Sequence, residues 1–114
     1  MPKERKKMLK GIISLMILKL LLYQSIHGYE INKILSNKLG EQLPPGYVYV
    51  LLKSMESKGL IYAKKDSNKR GQKLTEYIIT EEGINFLKDH KNALEKGKAM
   101  IEELLEAIDK INKT

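Results

Sequence analysis

Residues 45–79 read PGYVYVLLKSMESKGLIYAKKDSNKRGQKLTEYII, and the fold turns on this stretch. Proline is tolerated in the first turn of a helix, where its missing N–H has no partner to lose, so a helix is predicted from about Pro45 to Lys58. Val48, Leu51, Leu52 and Met55 fall on one face of it at 100° per residue. The opposite face presents Gly46, Val50, Lys53 and Ser57, with Tyr47 and Tyr49 on its flanks. A plain solvated face would carry more Glu and Lys, whereas small, aromatic and basic residues suit a groove. Gly59 stops the helix in the C′ manner. Leu60 to Lys65 and Leu74 to Ile79 are rich in Ile, Tyr and Thr and read as strands. Between them lies a polar, basic loop, Asp66 to Lys73, containing Gly71. Two strands around such a loop predict a hairpin.

Upstream, Gly40 and Pro44-Pro45-Gly46 break the chain after a helical stretch from Tyr29 to Leu39, with Ile31, Ile34 and Leu35 on one side. Gln24 to Gly28 reads as a turn. Leu9 to Tyr23 is apolar on nearly every side and must be covered all round, which in so short a chain implies a second subunit. Downstream, Thr80 followed by Glu81 and Glu82 opens a last helix, with a hydroxyl cap and two acids at the positive end of the dipole. With Leu87, Leu94, Ile101 and Ile108 at heptad position a, position d is His90, Gly97, Leu104 and Ile111, a seam that strengthens toward the C-terminus. One helix of about thirty residues spans ~45 Å, too long to pack wholly on a small domain.

Helix, helix, helix, strand, basic loop, strand, long helix is a mainly α fold with a small β-hairpin. It is the order of a winged helix-turn-helix with a long C-terminal dimerisation helix. The division expected is a basic N-terminal tail at 1–8, a winged helix DNA-binding domain at 9–79 and a dimerisation helix at 80–114. The third helix would enter a major groove while the wing reaches the neighbouring backbone. The expected DNA-contacting residues are Tyr47, Tyr49, Val50, Lys53 and Ser54 on the helix, and Lys64, Lys65, Asn68, Lys69, Arg70 and Lys73 on the wing. The two tyrosines either meet phosphates or close the edge of the core. Ile13 and Ile17 of the first helix, with Leu94, Ile101, Leu104, Ile108 and Ile111 of the last, are the expected homodimer contacts.

Charge supports a polyanionic partner. The 114-residue chain carries a formal +7, and its distribution is uneven. Lys3, Arg5, Lys6, Lys7 and Lys10 face one acid, Glu4, in the first ten residues, whereas the last thirty-five hold six lysines against eight acids. The basic front suits double-stranded DNA. The N-terminal cluster is either a DNA-grazing arm or a solubilising tail. Lys19 interrupts the apolar run behind it and no small-x-small site follows, so neither a signal peptide nor a membrane span is expected and the location is cytoplasmic. Cysteine is absent, and His27 and His90 lack ligand spacing, so neither a metal nor any other cofactor is expected. Nucleophile motifs, paired carboxylates and phosphate-cradling glycine loops are also missing, which argues against an enzyme.

The chain resembles the PadR-like transcriptional regulators. His27-Gly28-Tyr29-Glu30-Ile31 looks like that family's HGYEI signature; Gly46 to Leu52, with Met55-Glu56 and Lys58-Gly59-Leu60-Ile61, is similar to its recognition-helix segment; and Tyr77 with Thr80-Glu81-Glu82-Gly83 resembles the segment after its wing. The resemblance implies a repressor-type winged-helix dimer, often with a small-molecule inducer between subunits, and a backbone-contacting role for Tyr49. Val50 stands where many relatives have proline, and Thr75 and Glu76 replace the usual arginine and tyrosine. The short arm looks like the small subgroup, in which some members stack planar drugs between tryptophans. This chain has no Trp, and Leu94 takes the corresponding place, so the resemblance extends at most to an apolar pocket lined by leucine and methionine. Two other functions share the scaffold: a ligand-responsive sensor with an effector pocket at the dimer interface, and a protein-interaction module whose basic face meets an acidic partner.

Overall fold

A computed structural model describes the backbone of residues 3–67 and 70–113, and their side chains apart from those of 3–8 and 66. The elements are α1 (Lys3–Leu21), β1 (Ile26–His27), α2 (Gly28–Leu39), α3 (Tyr47–Ser57), β2 (Ile61–Ser67), β3 (Lys73–Ile79), α4 (Glu81–Asp89) and α5 (Lys91–Asn112). The fold is mainly helical with a small antiparallel sheet, as the element order implies.

The apolar face of α3 is inside as its periodicity requires: Val48, Leu51, Leu52 and Met55 are all buried. They meet Ile13, Ile17, Leu18 and Leu21 of α1 and Ile31 and Leu35 of α2 in one core. The end of α3 closes as a Schellman turn, with the Leu60 amide donating to the Met55 carbonyl (3.0 Å) and that of Gly59 to Glu56 (3.0 Å). Gly59 adopts φ +77°, a conformation in which any side chain is strained. Thr80 caps α4: its Oγ1 accepts from the Gly83 amide at 3.0 Å and donates to the Gly59 carbonyl at 2.7 Å, tying the start of α4 to the end of α3.

Four features depart from expectation. First, the sheet has three strands in the order β1-β3-β2, because Ile26 and His27 pair with Tyr77 and Glu76 where only a turn was expected. Second, the hairpin is longer than its apolar residues suggested, pairing from Ile61 with Ile79 out to Ser67 with Lys73. Third, α1 already begins at Lys3, so the backbone of 3–8 continues into the helix.

Fourth, the last helix is two, broken at His90. A continuous α-helix would send the His90 amide to the Phe86 carbonyl. Here the imidazole takes that acceptor: Nδ1 lies 2.7 Å from the Phe86 oxygen and, since a carbonyl only accepts, carries the proton. The His90 amide bonds Leu87 instead at 3.2 Å, and its ring leans on Phe86 with centroids 4.5 Å apart. Beyond the break, none of the described residues of α5 is buried, and the molecule measures 59 × 29 × 22 Å.

Candidate nucleic-acid interface

Gly46 to Ser57 presents the face opposite the core to solvent. Val50 is 69% exposed and Tyr49 48%, with Lys53 and Ser57 also exposed. Ser54 is half-buried on the side turned toward α1. Tyr47 is the correction on this helix: only 6% exposed, its ring belongs to the core. It is the first residue of α3, one position before Val48, and the turn through Pro44 leaves it facing inward, where its amide donates to the Pro44 carbonyl at 3.1 Å. Without it the exposed candidates on α3 are Tyr49, Val50 and Lys53, flanked by Ser54 and Ser57.

Burial raises the Tyr47 phenol above its ordinary value of 10.0. An acid held protonated by the fold loses its proton first in the unfolded chain, so the corresponding stability is complete below about pH 10 and declines as pH rises toward the folded value. The unfolding temperature should therefore drop above about pH 10, and Tyr47→Phe should flatten part of that drop in a thermal melt series; an identical alkaline slope in the variant contradicts the assignment.

The wing stands beside this face. Lys64, Lys65, Arg70 and Lys73 are exposed, while Asn68 and Lys69 lie outside the described residues. Side chains alternate along a strand, so consecutive Lys64 and Lys65 point to opposite faces and make the wing basic on both. Lys64 stands opposite Glu76, which accepts from the Ser25 hydroxyl, and the Lys65 ammonium donates to Thr75 Oγ1 at 3.1 Å. No acid occupies the first turn of α3. The surface formed by α3 and the hairpin is thus cationic with an apolar centre, suited to phosphates around a groove.

Two clefts border the interface. One, of about 450 Å³, lies between α1, α3 and α4; Leu15, Leu18, Met55 and Phe86 line it, with Lys10, Lys58 and His90 also on its wall. The other, of about 300 Å³, sits at the start of α3 between Lys10, Pro45, Gly46, Tyr47 and Val50. Lys10 borders both, and it is the one member of the N-terminal basic cluster whose side chain lies among the described residues.

The dimer candidates divide. Leu94, Ile101, Leu104, Ile108 and Ile111 are exposed on α5, alongside Met100 and Leu105. Ile13 and Ile17 are corrected: at 3% and 0% exposure they are filled-in core of their own domain, and the large apolar side chains exposed here are Ile12 of α1 and, just past its end, Leu22 and Tyr23. In a helix apolar on all sides, periodicity gives no way to tell which stripe its own domain takes. Gly28 and Tyr77 also shape the site, because Gly28 lies against both the Tyr49 and the Tyr77 rings. Only a recurring motif marks them in the sequence, since their contact joins α2, α3 and β3.

The sequence profile of the transcriptional regulator PadR-like family matches residues 17–89, which include α2, α3 and the whole hairpin. The chain belongs to the PadR-like family. Solved structures of similar sequence share its architecture. A candidate transcriptional regulator of Thermoplasma acidophilum is 41% identical, with a TM-score of 0.84 over 88% of this chain and 96% of that one. A PadR family transcription regulator from Clostridium difficile R20291 is 32% identical, with a TM-score of 0.67 over 82% and 97%. The transcriptional regulator YqjI of Escherichia coli K12 is 30% identical over 85% of this chain, which spans 44% of the length of YqjI. The chain is thus a member of a family of transcriptional regulators, not of enzymes. Among its described residues no helix is long and apolar enough to cross a membrane, and no group of three His, Cys, Asp or Glu is placed to hold a metal.

Proposed function

We propose that the chain is a cytoplasmic, sequence-specific repressor acting as a homodimer, with α3 in the major groove and the wing on the adjoining backbone. The observation that carries this reading is the exposed Tyr49, Val50 and Lys53 face beside the doubly basic hairpin, within a PadR-like domain. Tyr49 and Ser54 offer hydroxyls to the sugar-phosphate backbone, Val50 an apolar contact to a thymine methyl, and Lys53 a contact to guanine or phosphate. Lys64, Lys65, Arg70 and Lys73 displace counterions from the phosphates, and Lys69 and Asn68 of the same sequence segment join them as an ionic and a hydrogen-bonding contact. The apolar stripe Leu94, Ile101, Leu104, Ile108 and Ile111 pairs with the same stripe of a second chain, so residues 80–114 act as the arm. Repression follows from occupying DNA that polymerase must use.

A mobility shift on a duplex from the region upstream of the chain's own gene tests the reading. Retardation that weakens steeply from about 50 to 200 mM salt is expected, because each neutralised phosphate adds about 0.9 to the salt slope. Indifference to DNA at low salt contradicts it.

The cleft between α1, α3 and α4 favours a second reading on the same scaffold, an effector-responsive regulator. A ligand filling a cavity bordered by the back of α3 and by the α4–α5 break can shift the spacing of the two reading helices, provided that it binds one spacing better than the other. Release of the duplex by a small apolar ligand, lost in Leu15→Trp, supports this; no release by any ligand that binds the cleft contradicts it.

A further inference from the structure

We propose that Gly28 is a positioning residue for DNA binding: its missing side chain is the seat that fixes the Tyr49 ring. This rests on the reading of α3 as the DNA-facing helix. A β-carbon built on Gly28 would lie 2.8 Å from Tyr49 Cε1 and 3.5 Å from its Cζ, and 3.2 Å from Tyr77 Cε2. Van der Waals contact between carbons begins near 3.5 Å, so the first of these approaches admits no methyl. The backbone does not call for glycine, since the positive-φ glycines are Gly40, Gly46, Gly59 and Gly71 and do not include Gly28. Gly28 opens α2, where alanine is the better helix former. What requires glycine there is the space taken by the Tyr49 ring.

The two rings differ in freedom. Tyr77 is buried in the central strand, paired with Ile26 and Ala63 on either side, and its phenol is raised by burial first, then by Glu56 and Tyr49. Tyr49 is 48% exposed, against 9% for Tyr77. A methyl on Gly28 therefore displaces Tyr49 and leaves Tyr77 in place. The Tyr49 hydroxyl, at the tip of a six-membered ring, swings furthest, and that is the atom offered to the phosphate. α2 and the sheet thus determine where α3 places its aromatic contact, although Gly28 itself touches no DNA.

A double-mutant cycle in the full chain tests this, with the upstream duplex as probe and Gly28→Ala, Tyr49→Ala and the double variant compared. Gly28→Ala is expected to weaken binding about tenfold per subunit, the ratio that one hydrogen bond to a charged group carries, and so about a hundredfold for a dimer. It should have no further effect once Tyr49 is alanine. Tyr49 ring resonances shifted further than those of Tyr77 should accompany the loss. Equal loss in both Tyr49 backgrounds, wild-type binding by Gly28→Ala, or wild-type binding by Tyr49→Ala each overturns the proposal. Should Gly28→Ala fail to fold, folding restored in the double variant supports it, and failure of both overturns it. No retention of the duplex by the wild-type chain is a different result, because it removes the DNA-binding reading itself.

Discussion

Leu104→Glu with Ile108→Glu is expected to turn the proposed homodimer into a monomer at micromolar concentration and to weaken its proposed operator binding by at least about a hundredfold. Both side chains are half or more exposed on a helix with no buried residue, so the substitution leaves the core of each domain untouched. Across a two-fold interface it removes four apolar side chains, each already about half covered in the single chain, so of the about 1.5–3 kcal/mol for full burial roughly half is lost at each, on the order of 3–6 kcal/mol in all before charge repulsion is counted. That is about two to four powers of ten in the association constant. DNA affinity follows, because two linked reading heads hold two half-sites with an advantage of about 10²–10⁴ over one head alone. Sedimentation and a mobility shift on the same preparation check both steps. A double variant that remains dimeric contradicts the arm.

Neutralising the wing gives a different signature. Lys64→Gln, Lys65→Gln and Lys73→Gln together remove three charges from each wing and six from a dimer, without touching the core or α5. If all six meet phosphates, the slope of log affinity against log salt becomes shallower by about 5. Affinity should fall by roughly the same factor on every duplex, operator or not, since phosphate contacts carry no sequence information. Lys53→Gln, on the reading helix, should instead narrow the gap between operator and random DNA. A wing variant with an unchanged salt slope would falsify the wing's role.

The parts of the fold legible in the sequence are those written in local chemistry. Pro44-Pro45-Gly46 and Gly59 bracket α3, Thr80 and its two acids mark the start of α4, and the 100° spacing of Val48, Leu51, Leu52 and Met55 names the buried face. What escaped depends on distant partners. β1 is two residues long, too short to show any period, and exists because Tyr77 and Glu76 lie alongside. The break at His90 involves neither glycine nor proline; it arises when an imidazole takes the Phe86 carbonyl from the backbone. Tyr47 and Tyr49 look alike in the sequence, two positions apart on one helix, yet one is core and the other surface because Tyr47 begins the helix against the Pro44 turn. Ile13 and Ile17 were indistinguishable from their neighbours in a helix that is apolar all round. The candidate interface was therefore readable as a surface, while the packing of Gly28 against the Tyr49 and Tyr77 rings behind it was not.

The chain contains no cysteine, so a single Ser57→Cys at the exposed end of α3 can carry a spin label without competition. Pulsed dipolar distance measurement on the labelled protein bound to its upstream duplex should give one separation near 34 Å, one turn of B-DNA, between the two reading helices. Absence of any dipolar coupling, or a separation under about 20 Å, would contradict paired helices in successive grooves.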